Sequence, residues 1–93
     1  MTQKAKRIKT IHVTKHDIAA GEPEEGNSCP IARAVARSFK KKVGTYFVHE
    51  DRISKDEDYD GPTFGTLPQK AQLFIEKFDR ERPVRPFSFV LRY

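Results

Sequence analysis

The chain has 93 residues, 37% of them hydrophobic and 33% charged, with one cysteine, no tryptophan and a formal net charge of +5. That length allows one small domain without a deep cofactor cavity beside its core, the aromatic content excludes wholesale disorder, and a lone cysteine excludes an internal disulfide. No charged start followed by an apolar run marks a signal peptide or membrane span, so the reading is cytoplasmic, with no membrane partner.

The charge falls in blocks: +4 over residues 1–20, −3 over 21–30, +5 over 31–49, −4 over 50–60 and +3 over 61–93. Basic segments suit a polyanion, and the acidic segments between them argue against indiscriminate coating of nucleic acid. Seven phenylalanines predict one compact core organised around those rings.

In chain order, residues 1–7 read as a basic arm outside a single domain over 8–93, because MTQKAKR has no apolar pattern. Ile8–Thr14 carries the β-branched residues of a strand. Thr14 with Asp17 three residues on forms a capping box, and Gly21 suits a helix C′ position, so Lys15–Ala20 reads as a short helical turn. After a polar loop, Pro30 belongs in the first turn of a helix, where its missing N–H breaks no bond, which makes Ser28 or Cys29 the N-cap. Ile31, Val35 and Phe39 then form an apolar stripe, while Arg33, Arg37, Lys40 and Lys41 fall on another side.

Val43–Glu50 has strand propensity after the Gly44 turn. Residues 51–62 read as a long acidic loop and residues 63–67, TFGTL, as a short strand closing a hairpin. Pro68 opens a second helix with Ala71, Phe74, Ile75 and Phe78 at helical spacing, and Pro83 and Pro86 end it. Residues 87–93 alternate, with Phe87, Phe89, Leu91 and Tyr93 on one face. The order is βαββαβ, an α+β fold with an antiparallel sheet and two helices, ferredoxin-like or an irregular relative. Such a fold hosts many functions.

Three chemistries have some trace in the residues. Cys29 at a helix start is placed for a thiolate, but no His is spaced to serve it, and a buried plug accounts for it as well. His12 and His16 fall on a strand and a turn that do not present both to one zinc ion, so no metal is expected. Asp56–Gly61 matches the start of a calcium loop, yet Leu67 stands where the closing Glu is required. Gly-rich phosphate loops and the aromatic run of an RNA-recognition module are missing. The chain therefore reads as no enzyme, with no cofactor.

What remains is the cationic helix face, Arg33, Arg37, Lys40 and Lys41, with Lys42 beside it and Lys4, Lys6, Arg7 and Lys9 in and next to the arm. Arginine forks suit phosphate, although basic helix faces are also common as plain solvated surface. These residues are the candidate contacts with nucleic acid or a partner.

Residues 11–21, IHVTKHDIAAG, followed by CPIARA at 29–34, resemble the opening of a family of small phage and prophage proteins that carry VTxxDIxxG and then CPIA or CPVA at a helix start. The resemblance covers the first third of the chain. It implies a helix-start role for Cys29 and Pro30, and by analogy of class it implies a small inhibitor of a host nucleic-acid machine, most concretely an anti-CRISPR acting on a CRISPR ribonucleoprotein. The alternatives are a plain DNA- or RNA-binding regulator and a cysteine-dependent enzyme.

Overall fold

A computed structural model describes residues 7–55 and 61–93. The strands are β1 (Ile8–Val13), β2 (Phe47–Val48), β3 (Arg52–Ser54), β4 (Gly65–Thr66) and β5 (Phe87–Arg92), and the helices are α1 (Lys15–Ala20), α2 (Pro30–Ser38) and α3 (Gln69–Asp79). The strands form one antiparallel sheet in the order β1-β5-β4-β3-β2. This is the α+β class the sequence predicts, and the irregular form of it. A split βαβ arrangement separates the two parallel strands of each unit by a single strand. Here β4 and β5, joined through α3, are antiparallel neighbours, while β1 and β2 lie at opposite edges.

The local signals formed as their chemistry requires. Thr14 Oγ1 accepts from Asp17 N at 3.2 Å, and Asp17 Oδ2 accepts from Thr14 N at 2.9 Å, closing the capping box of α1. Cys29 is the N-cap of α2, with Pro30 in the first turn. Helix α2 ends in a Schellman arrangement, with Lys41 N donating to Ala36 O at 2.8 Å and Lys40 N to Arg37 O at 3.0 Å. Lys40 takes the left-handed position, φ 58°, that glycine usually fills. Helix α3 ends the same way, with Glu81 at φ 58°.

Two expectations need correction. Residues 51–62 are not all loop: Arg52–Ser54 pairs with both β2 and β4, so the hairpin expected between residues 43–50 and 63–67 holds a strand between its arms. A three-residue strand carrying one apolar side chain has no periodicity to read, and its partners alone define it. Nor do the phenylalanines organise the core. The fully buried centre is mostly aliphatic, built from Ile11, Ile31, Val35, Ile53 and Leu91 with Ala34, Ala36 and Ala71, and Phe89 and Tyr46 are the large rings inside it. The alanines of α2 let that helix approach the sheet closely. Phe74 is buried as well, and the remaining rings gather at the margins, Phe39, Phe64 and Tyr93 beside Tyr46, and Phe78 and Phe87 beside Phe74.

Ile11 and Val13 of β1 and Phe89 and Leu91 of β5 face this core. The opposite sheet face is open, with Ile8 66% and Val90 44% exposed. Residues 1–6 of the basic arm and Asp56–Asp60 of the calcium-like loop lie outside the described residues. No helix among those described is long and apolar enough to cross a membrane.

Candidate polyanion-binding surface

Burying Ile31, Val35 and the alanines of α2 against the sheet and α1 leaves Arg33, Arg37, Lys40 and Lys41 on the outer side of the helix and its C-terminal turn. The structure divides these four cations into two kinds. Arg37 is tied into the fold. Its Nη1 donates to Asp17 Oδ1 at 2.6 Å, and its Nη2 donates to Asp17 Oδ2 at 2.9 Å and to the His12 carbonyl at 2.7 Å. Asp17 is 1% exposed. Burial alone pushes its carboxyl up, but the Arg37 fork and the Thr14 hydrogen bonds more than offset this and hold it below the ordinary carboxylate range. One guanidinium thus joins α2, α1 and the edge of β1, and its charge is largely answered. Helical spacing places Arg37 on a free cationic stripe and cannot show this tie, because the partner lies 20 residues away.

Arg33, Lys40 and Lys41 make no ion pair among the described residues, where the bridges are Arg37–Asp17 and the exposed Arg80–Glu76. Lys40, Lys41 and Lys42 are exposed. Arg33 is half-buried, and its Nε is shielded from solvent without a hydrogen-bond partner among the described residues, an unmet donor of the kind that costs about 1–3 kcal/mol. Lys9 belongs to the same margin, with Nζ 5.4 Å from the centre of the Phe39 ring. A second group of cations, Lys70, Lys77 and Arg85, lies along α3 and the segment after it. The Lys70/Lys77 spacing beside Leu73 and Phe74 is the trace of that group in the sequence, but Arg85 joins it only through the fold.

Cys29 is a plug. The side chain is 5% exposed, and Sγ accepts from Ala32 N at 3.5 Å. Burial pushes the thiol up to about 11, with the Asp79 carboxylate adding to the rise. At neutral pH the thiolate is then about one part in ten thousand. The small pocket over it is rimmed by Glu24, Glu25 and Asp79, an acidic setting that disfavours a thiolate further. Because the folded value lies above the unfolded 9.0, the protonated thiol's contribution to stability is complete below pH 9 and is lost between about pH 9 and 11. Cys29→Ser should lower stability at pH 7 by about 1 kcal/mol, since a hydroxyl still caps but loses the sulfur's apolar contacts. The variant's stability should also decline less than wild type between pH 9 and 11. Urea titrations at both pH values check this, and rapid alkylation of the folded wild-type thiol near neutral pH would contradict it.

His12 and His16 both line one shallow depression beside Ser88. His12 Nδ1 lies 2.7 Å from Ser88 Oγ on the neighbouring strand, and among the described residues no three His, Cys, Asp or Glu side chains are grouped to hold a metal ion. No protein-family model, curated protein or solved structure matches the chain. The likeness to small phage proteins rests on residues 11–21 and 29–34 alone.

Proposed function

We propose that this chain is a non-enzymatic binding protein that docks on the phosphate backbone of a nucleic acid, free or held in a host ribonucleoprotein, through Arg33, Lys40 and Lys41. The observation that carries this reading is the division of charge on α2: Asp17 answers Arg37, and the cations on either side of it along the chain are left without ion-pair partners among the described residues. Exposed cations at a helix C-terminus also gain about 0.3–1 kcal/mol from the dipole, which is reason enough for one lysine and a weak reason for three in succession. Inhibition of a CRISPR ribonucleoprotein in the bacterial cytoplasm is the concrete form, and it is supported by the phage-like opening of the sequence. The buried, protonated Cys29 counts against the rival in which the thiol is a nucleophile.

The test is titration of a fluorescein-labelled RNA of roughly 20 nucleotides at several salt concentrations, because the salt dependence flattens with every phosphate the protein ceases to neutralise. Arg33→Glu/Lys41→Glu should weaken binding at least about tenfold and lower the logarithmic salt slope by roughly 1 to 2. If that variant keeps its circular dichroism spectrum and binds RNA like wild type, the cationic margin of α2 is only solvated surface. Capture of partners from a bacterial lysate with and without nuclease then separates the two forms: a ribonucleoprotein inhibitor retains its protein partner after nuclease, and a regulator of free nucleic acid does not.

A further inference from the structure

A groove of about 380 Å³ runs between α3 and the 83–87 segment. Lys70, Lys77 and Arg85 rim it together with Leu73, and Phe74, Val84 and Phe87 form its floor. Lys70 and Lys77 are seven residues apart, two turns of one helix face, so their ammonium groups are spaced roughly 10 Å along the groove. Arg85 comes from the opposite wall. Among the described residues no carboxylate lines the groove and none of the three cations has an ion pair. The acids of α3, Glu76 and Asp79, lie on its other flank, with Glu50. Beyond Phe87 the surface continues into a shallow depression bearing His12, Lys15 and His16, with no carboxylate among the described residues that line it.

The floor identifies the occupant. Leu73 is 49% exposed at the groove's lip, where it also borders the flank lined by Glu50, Glu76 and Asp79. A single strand of nucleic acid binds such a cationic groove by stacking bases on free aromatic faces. Here the faces are taken: Phe74 stacks on Phe87 at 4.8 Å and on Phe78 at 6.1 Å, and Phe87 stacks on Phe89 at 5.7 Å. What the groove offers is apolar contact flanked by positive charge. We infer that the groove between α3 and the 83–87 segment is a docking site for an acidic, amphipathic polypeptide segment of a partner protein, its carboxylates on Lys70, Lys77 and Arg85 and its apolar side chains on Leu73 and the phenylalanine floor. This inference does not depend on the role given to α2.

Three fluorescein-labelled probes test it: a peptide of about 14 residues with Asp and Glu between Leu and Phe at helical spacing, the same peptide with Ser for each Leu and Phe, and a 14-mer of deoxythymidine. The amphipathic acidic peptide should bind tightest and move the methyl resonances of Leu73 and Val84 in the wild-type protein. Lys70→Glu/Lys77→Glu should weaken it at least about tenfold, while Arg33→Glu/Lys41→Glu leaves it unchanged. Equal binding of the Ser peptide would reduce the groove to a charged surface and overturn the assignment. Tighter binding of the oligonucleotide, lost in the same Lys70/Lys77 variant, would make it a nucleic-acid site. Absence of any shift at Leu73 and Val84 with the first peptide at about 1 mM would also overturn it.

Discussion

Arg37→Ala should lower the stability of this protein by about 2–3 kcal/mol, although the side chain stands on the outer face of a helix and is half exposed. The loss comes from what is left behind. Asp17, 1% exposed in the intact fold, would lose the two guanidinium bonds at 2.6 and 2.9 Å that stabilise its charge, and the His12 carbonyl at the edge of β1 would lose its donor. Breaking a fully buried pair costs about 3–5 kcal/mol, and solvent at Arg37 reduces that figure. Arg37→Lys should recover only part of the loss, because an ammonium cannot reproduce the fork to both carboxylate oxygens and a carbonyl. In a double-mutant cycle, Asp17→Asn/Arg37→Ala should cost well under the sum of the single changes.

The pH dependence has a definite sign. Asp17 has a folded value below its unfolded one, so the pair's stabilisation is complete above the unfolded carboxylate range and fades as the pH falls through the folded value. Urea denaturation of the four proteins of the cycle at pH 7 and at pH 3 reads all of this. An Arg37→Ala change under about 0.5 kcal/mol would mean that the pair is surface decoration. One consequence bears on the proposed function: Arg37 variants test the fold, so the proposed contact has to be tested at Arg33 and Lys41.

Gly21→Ala is the second large effect, a loss of about 3 kcal/mol or more. Gly21 follows α1 with φ −73° and ψ 157°, an ordinary extended conformation that alanine adopts without strain. Its need for glycine is spatial. A Cβ there would stand 2.6 Å from Pro30 Cδ, 2.7 Å from Pro30 N and 2.8 Å from Pro30 Cγ. A proline ring at a helix start cannot swing aside, so α1 and α2 would have to separate, opening the packing around buried Pro30 and Cys29. The expected result is a lower denaturation midpoint with an unchanged helix signal at low denaturant. Gly44→Ala is the comparison. That residue has φ 102°, and its added Cβ would meet only Asn27 Nδ2 at 3.9 Å, so its cost is the smaller backbone one, about 1 kcal/mol. If Gly21→Ala proved no worse than Gly44→Ala, the close approach of α1 to Pro30 would not constrain the fold.

These two residues mark the boundary between what is legible in the sequence and what is not. The capping box of Thr14 and Asp17, the Cys29 and Pro30 helix start, the apolar stripe of α2 and the alternation of residues 87–92 follow from the sequence, because each is set within one or two turns of backbone or by the pleat. The α+β class follows from their order. Gly21 is legible as a helix terminator, but for the wrong reason, since the atom it makes room for belongs to Pro30. Arg37 is legible as a cation on the outer face of α2, and the buried carboxylate 20 residues earlier that answers it is not. The short strand Arg52–Ser54 has no pattern of its own, and the strand order places β1 at an edge where the split arrangement would enclose it. Lys70, Lys77 and Arg85 are separate charges until α3 and the segment after it close a groove around Leu73. A single sequence states the periodicity and chemistry of neighbours in the chain. Which distant side chain meets a given charge, methyl or ring depends on how the helices and strands pack, and that packing decided which cations of this protein are tied into the fold and which are left without an ion pair among the described residues.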